Sequence, residues 1–457
     1  MLELHEPPIK PIYLQDKPNA TIHLGTTPME FTVDGVAYTQ TARVEMRFVP
    51  RDRLLFFLRP RSRTWRTTEL ALRLMQDHGS HAVLPRYGGP HFDVMCLHVK
   101  GNEIMLTPTC SGITVTPPTA DIVRAVFHIL NFPAFHGPGD YHLVTGNAPH
   151  EKHAMCGRVL LQADGWRIVI AATDKTKQLD GALKKQGGYV ITHMGSIERE
   201  DGAEFSNDQL EKILESVRHL LSFALGRWVG VALPIGFNSQ NETVFEQWGT
   251  PLVACDQWGG ALSWFDAPHA EMLSQVFPGF YAGWCDPLWG KALRSVLYWY
   301  VAANEQQGGI RPDEGLILAQ TALETLAWTY CVADRKILSK KDFEPEGLPA
   351  AERIRLCAGH LWIPIPIPAH MSALLSQKKY KLKDAADAVT WVRNKLVHPQ
   401  KAVVLGLQQY LDAWTLAMWL IEMLLLRLCG HDGDYADRRV RPHVPGQVDR
   451  VPWASGR

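Results

Sequence analysis

Near residue 265 the apolar residues of this chain change their period, and that one shift limits the architectures open to it. Before it, β-branched and aromatic residues alternate with polar ones, as in TIHLGTTPMEFTVDGVAYTQTARVEMRFV (21–49), the period of a strand with one buried face. Asp34-Gly35 supplies a hairpin turn inside that run, because both residues tolerate a positive φ. Gly101-Asn102 does the same in FDVMCLHVKGNEIMLTPT (92–109), and Asp164-Gly165 in GRVLLQADGWRIVIAAT (157–173). One helical interlude, SNDQLEKILESVRHLLSFALG (206–226), offers Ser206 and Asn207 as caps, repeats apolar residues at helical spacing and closes on Gly226. RWVGVALPIGFNSQNETVFEQWG (227–249) then returns to strand.

After the shift the pattern is helical. PLWGKALRSVLYWYVAAN (287–304), RPDEGLILAQTALETLAWTYCVADRKIL (311–338) and LPAAERIRLCAGHL (348–361) predict three helices, and 383–397 and 401–429 predict two more. Pro312 and two acids open the second of these, as the helix dipole favours. WIPIPIPAH (362–370) carries prolines at every second position, which forbids both helix and central strand and predicts a rigid connector. The fold class is therefore α+β: a β-rich region over 1–265, an all-α bundle over 266–430, and a loose polar tail over 431–457.

Composition narrows the function classes. With 46% hydrophobic and 21% charged residues, the chain reads as a soluble globular protein. Lys+Arg and Asp+Glu both number 47, so any contact with nucleic acid must come from a local patch. Eight scattered cysteines without a CxxC predict reduced thiols, and an N-terminus with no apolar core predicts a cytoplasmic location. The most apolar stretch, LDAWTLAMWLIEMLLLRLC (411–429), carries Asp412, Glu422 and Arg427 and reads as a buried helix rather than a membrane span. The phosphate-loop, zincin, α/β-hydrolase and dinucleotide-binding signatures are all missing. His150, His153 and Cys156, with His136 and His142 upstream, are metal-ligand types that lack a second closed pair. That stretch reads as a His-bearing loop, and no metal or cofactor is expected.

Chemistry concentrates in TWVRNKLVHPQ (390–400). Ala385, Val389, Val392 and Leu396 form the stripe that faces a core, with Arg393 and Asn394 toward its edge. Pro399 disfavours helix at His398, so the helix ends there and presents His398 at the negative end of the helix dipole. Arg offers a planar, permanently charged fork for phosphate and His a proton-transfer group, a minimal pair for a phosphodiester. RNA brings its own nucleophile in the 2′-hydroxyl. Glu324, a lone acid in TALETLAW, is a candidate to pair with Arg393 and orient it, against the plainer and favoured reading of a partly exposed acid paired with some other helix base. Lys378, Lys379, Lys381, Lys383 and Lys395 form a basic run suited to an RNA backbone.

The segment RNKLVHP, an Arg, a polar residue, a short spacer and a His at the end of an apolar-striped helix, resembles the signature of the HEPN (higher eukaryotes and prokaryotes nucleotide-binding) superfamily. The resemblance spans about residues 270–430, and YWYVAANEQQGGIRPDEGLILAQTALETLAW (298–328) is similar to the early helices of the Apea-like branch, where a β-rich domain precedes the HEPN module. It implies a homodimer that brings Arg and His of two subunits together and cleaves RNA, tRNA among the candidates, without metal, leaving a 2′,3′-cyclic phosphate. Arg393 and His398 then carry over as catalytic residues, with Asn394 as the accompanying polar residue. It further implies an antiviral or abortive-infection effector whose β-rich half restrains the nuclease until it meets a phage-derived or nucleotide trigger. The alternative within the same resemblance is a catalytically silent HEPN module used for dimerisation or nucleotide binding.

Overall fold

The computed structural model describes residues 9–33, 36–49, 53–59, 80–85, 88, 91–100, 103–110, 112–137, 142–144, 152–154, 157–249, 255–256, 258–304, 312–344, 346–376, 380–398, 405–440, 442 and 444–456. The alternating run at the N-terminus becomes β1 (Ile22–Val33) and β2 (Val36–Arg47), antiparallel with Val33 opposite Val36. With β3 (Arg53–Leu58), β4 (Ser80–Val83), β5 (His91–Lys100) and β6 (Glu103–Pro108) they close a barrel in the order β1-β2-β3-β6-β5-β4. Closure leaves no free edge. Phe31, Val44, Phe56, Val94 and Leu106 fill its interior.

The second sheet is hydrogen-bonded separately from the barrel. It comprises β7 (Gly112–Thr114), β8 (Arg124–Leu130), β11 (Arg158–Ala163), β12 (Trp166–Ala172), β13 (Ile191–Arg199), β14 (Gly230–Phe237) and β15 (Thr243–Gly249), in the order β11-β12-β13-β8-β14-β15-β7. A short hairpin of β9 (His142–Val144) and β10 (Lys152–Ala154) stands apart. The expected Asp164-Gly165 turn joins β11 to β12 with φ of 50° and 71°, the doubly positive geometry of a two-residue hairpin. The sequence pattern showed one β-rich region, and the chain builds two β units from it.

β8 runs through the middle of this sheet, and its period of two decides how the layers stack. Ala125, Phe127 and Ile129 face the helices, while Leu130 joins the barrel's core with Ile191, Leu233 and Trp248. The sheet is thus a wall with the barrel on one face and helices on the other. On the barrel side, buried His128 accepts the Tyr13 backbone N–H at Nε2 (3.2 Å) and lies 3.2 Å from the Leu233 carbonyl at Nδ1. Burial pushes its pKa down to about 4, which keeps the ring neutral.

On the other face lies α2 (Asn207–Leu225), whereas α1 (Thr176–Gln186) packs Leu179 and Leu183 with Val190 in a small cluster of its own. α2 is the predicted interlude, closed by a Ser206/Gln209 capping box and by Gly226 at φ 63°. α1 escaped the pattern, because its only buried apolar residues are Leu179 and Leu183. The helical part follows as α3 (Glu271–Cys285), α4 (Trp289–Asn304), α5 (Pro312–Trp328) with a π-helical turn at Thr329–Asp334, α6 (Ala350–His360), α7 (Ser372–Leu375), α8 (Ala385–Val397) and α9 (Leu407–Leu428). α9 is buried from Asp412 to Leu426, the expected fate of the most apolar stretch. Among the described residues, Pro312–Asp334 is long and apolar enough to cross a membrane by length and composition, with 56% of its most apolar window buried. It packs against α4, α8 and α9.

Residues 431–457 correct an expectation. The described residues of this stretch are polar but partly packed: Tyr435, Ala436, Arg438, Val451 and Trp453 are buried. Arg438 explains the difference. Its Nε donates to both oxygens of Glu422 on α9 (3.1 Å each), and its Nη2 donates to Asn304 Oδ1 (3.2 Å) and to the Leu262 carbonyl. Tyr300 donates its hydroxyl to Glu422 Oε1 at 2.6 Å, and Asn304 donates to the carbonyls of Gly226 and Leu262, 2.9 Å each. Next to it, the Arg439 guanidinium lies 3.7 Å from the Trp419 ring centroid. A polar segment is buried here because each charge has a partner waiting.

Removing Arg438 leaves a buried carboxylate alone. Arg438→Ala is expected to lower the unfolding free energy by about 3–5 kcal/mol, and the double variant Glu422→Leu/Arg438→Met to recover most of it, by urea denaturation. Burial outweighs Arg438 and pushes the Glu422 pKa up to about 7. The folded value thus lies above the unfolded one, about 4.3. The stability linked to protonated Glu422 is then full below about pH 4.3 and lost as the pH rises through about 7. Glu422→Gln is expected to remove this slope between about pH 4.3 and about pH 7.

Candidate active site

Helix α8 carries the Arg and the His, and its start is unusually well fixed. Asp384 caps it by accepting the Asp387 N–H (2.9 Å), and the same carboxylate takes Arg355 of α6 through Nε (2.5 Å) and Nη2 (3.1 Å). Asp384 raises the Arg355 pKa still further. The Ala385 N–H donates to the Ile365 carbonyl at 2.8 Å, which ties the proline-rich connector to the helix start. Ile363 is buried and Ile365 and Ile367 pack on the core, while Pro364 and Pro366 are exposed. Beyond the cap, Ala385, Val389 and Val392 are buried and Leu396 packs against the core, the stripe read from the sequence.

The helix ends where Pro399 predicted. His398 is its C-cap, exposed, with φ −124° and ψ 78°, and its backbone N–H donates to the Asn394 carbonyl at 3.0 Å. Pro399 itself lies outside the described residues, as do Lys378 and Lys379. Arg393 is half-buried; its Nη1 donates to Asn394 Oδ1 at 3.3 Å. Its Nε is buried with no acceptor, and no carboxylate pairs with it among the described residues. Glu324 is not its partner: that carboxylate accepts from Gln320 Nε2 (2.8 Å) and lies 3.5 Å from Arg353 Nη1. The plainer reading of Glu324 holds instead: Arg353, on neighbouring α6, pairs with this partly exposed acid of α5.

Lys381 and Lys383 are exposed, the second 4.0 Å from Glu352 at Nζ. Lys395 Nζ stands 5.9 Å from the centre of the Trp391 ring. At about 100° per residue, Trp391 and His398 differ by only about 20° around α8, whereas Arg393 and His398 differ by about 140°. Trp391, Lys395 and His398 therefore share one side of the helix, and Arg393 stands on another. Sequence reading passed over Trp391 and Tyr380, whose rings lie parallel; the seven-residue spacing from Trp391 to His398 was the available signal. His150 and Cys156 lie outside the described residues and His153 is in β10. Among the described residues no group of three His, Cys, Asp or Glu could hold a metal ion.

Two family models match the chain: the YopA central domain over residues 117–260 and the YopA C-terminal domain over 286–448. The SPbeta prophage-derived uncharacterized protein YopA of Bacillus subtilis (strain 168) is 31% identical over 365 residues, covering 78% of this chain and 77% of that protein. The chain belongs to the YopA family. No solved structure matches it. The YopA central domain takes in the second sheet from β8 to β15 with α1 and α2, and the barrel lies before it. The YopA C-terminal domain runs from the start of α4 past Arg438, so its limits include the clamp on Glu422 as well as Arg393 and His398.

Asp384→Ala removes the cap and the anchor of Arg355 together. It is expected to cost about 1–2 kcal/mol in thermal unfolding and to speed amide exchange over the first turn of α8, with Asp384→Asn retaining part of the cap.

Proposed function

We propose that this YopA-family protein is a metal-independent endoribonuclease of HEPN type. The observation that carries the reading is Arg393: a half-buried guanidinium with no carboxylate partner among the described residues and an unsatisfied Nε, on the helix whose exposed end is His398. A cation held without an internal counter-charge is suited to an anion from outside, and a fork of N–H donors to a phosphate. His398 at the helix terminus supplies the proton-transfer group. In the proposed step the 2′-hydroxyl gives up its proton and attacks phosphorus. The O2′–P bond forms, the P–O5′ bond breaks, and the leaving oxygen takes a proton. The products are a 2′,3′-cyclic phosphate and a 5′-hydroxyl, and Arg393 stabilises the charge that develops between them.

The 140° between Arg393 and His398 supports a site made by two chains. A twofold axis beside the end of α8 sets the Arg393 of one protomer against the His398 of its partner. Asn394, bonded to Arg393, holds the guanidinium, and Lys381, Lys383 and Lys395 meet the RNA backbone. The β-rich units act as the restraint that a phage-derived or nucleotide trigger releases in the cytoplasm. That the Bacillus subtilis relative is described as prophage-derived supports a setting in conflict between phage and host, with an abortive-infection outcome.

The test is full-length protein incubated with total RNA in EDTA. Cleavage is expected to persist in chelator and to fall at least about 100-fold in Arg393→Ala and in His398→Ala. Mixing these two variants is expected to restore part of it, because a mixed dimer holds one intact pair. If wild-type protein leaves RNA intact with every trigger tried, the module serves dimerisation or nucleotide binding instead.

A further inference from the structure

Beside the end of α8 two aromatic rings lie parallel with nothing in the proposed chemistry to explain them. Tyr380 and Trp391 have an interplanar angle of 5° and ring centres 6.2 Å apart. Trp391 is the inner ring and packs partly on the core; Tyr380 is the outer ring and is 42% exposed. The Tyr380 hydroxyl donates to Asp387 Oδ1 at 3.1 Å, and that carboxylate also accepts the Lys383 N–H at 3.0 Å. Asp387 is itself buried in the first turn of α8, tied to the cap residue Asp384. The hydroxyl bond anchors the far end of the Tyr380 side chain, and the parallel Trp391 ring sets the plane in which the Tyr380 ring lies. The charge toward solvent is mainly basic: Lys381 and Lys383 are exposed just before the helix, and the Lys395 ammonium stands by the inner ring. Asp384 and Asp387 are turned inward to Arg355, to the helix cap and to Tyr380 itself, and the part-exposed Glu352 is paired with Arg355 and lies 4.0 Å from Lys383.

We propose that Tyr380 and Trp391 form a base-stacking platform, so that RNA enters the site as an unpaired strand. The inference rests on the reading of Arg393 and His398 as an RNA-handling pair and adds the form of RNA that they receive. Stacking on a protein ring needs a base whose face is free, and in a duplex each face is covered by its neighbour. Flanking ammonium groups then hold the sugar-phosphate backbone without reading sequence. The ladder also points at the chemistry. Trp391 and His398 share one side of α8, separated by about 10 Å along its axis, so one strand can stack on the platform and reach the His. Unpaired loops and ends are thereby the substrate class, and helical stems are not.

The experiment uses full-length protein carrying His398→Ala, which keeps RNA intact while binding is read. Fluorescence anisotropy is measured with a labelled, unstructured oligoribonucleotide of about 12 residues, and with the same strand annealed to its complement. Single-strand binding is expected to be tighter than duplex binding. Adding Tyr380→Ala is expected to weaken single-strand binding about tenfold and to leave duplex binding unchanged. Tyr380→Phe, which keeps the ring, is expected to retain most of the affinity. Thermal melting of each variant checks that the fold persists. Equal single-strand binding by the Tyr380→Ala protein, or a preference for duplex, overturns the platform. The two readings fail separately: RNA that is cut regardless of Tyr380 leaves the nuclease and removes the platform, whereas ring-dependent binding by a wild-type protein that never cuts leaves the platform and removes the nuclease.

Discussion

The architecture depends on one buried ion pair, Glu422 with Arg438. Both side chains are withdrawn from water, at 0% and 1% exposure, and neither is affordable alone. A carboxylate in the middle of the most apolar helix can be tolerated only if a cation is brought to it. The cation comes from the polar segment that follows α9, so the chain must double back across the domain. Tyr300 and Asn304 of α4 complete the polar shell, and Asn304 reaches the Gly226 carbonyl that closes α2. One network therefore fixes the order in which α9, α4 and the central unit meet. Such pairs contribute more to register than to net stability, and the raised Glu422 pKa agrees, since desolvation outweighs the attraction of Arg438.

Separate pairings occupy acids and arginines elsewhere in the helical part. Many of the arginines in the helical part are committed: Arg353 to Glu324, Arg355 to Asp384 and Glu352, Arg438 to Glu422, Arg439 to Asp437. Among the described residues, Arg393 is set apart by having only Asn394 as a hydrogen-bond partner. Placing an uncommitted guanidinium in such surroundings requires that nearby acids be occupied, and Glu324 is the clearest case. The acid that the sequence offered to Arg393 is held by another helix.

Much of this was readable from the residues, for reasons that differ by element. α2 announced itself because local chemistry, a capping box and a terminal glycine, agrees with its apolar spacing. α8 was legible to its last residue, since a proline after His398 acts on the backbone whatever the tertiary setting. The division of the β-rich half into a barrel and a sheet was not legible, because both alternate with period two and only long-range pairing separates them. The burial of Arg438 and its neighbours after α9 was hidden for a related reason. Polar composition signals exposure on average, and the partners that reverse it, Glu422 and Asn304, lie far off in sequence. The pairing of Glu324 needed the neighbouring α6, which no spacing along α5 reveals. The parallel rings of Tyr380 and Trp391 likewise depend on a turn geometry that Asp387 sets.

Strand β8 has a consequence of its own. Its alternate residues serve two different interiors, Phe127 and Ile129 toward the helices and Leu130 toward the barrel. In an ordinary sheet with one wet face, a register slip exposes one set of apolar groups and hides polar ones. Here a slip by a single residue would trade the contents of two cores at once, with no solvent side to absorb the error. The strand is accordingly a shared party wall: neither room can be remodelled without the consent of the other, and a change felt in the barrel has a rigid route to the side where the helices stand.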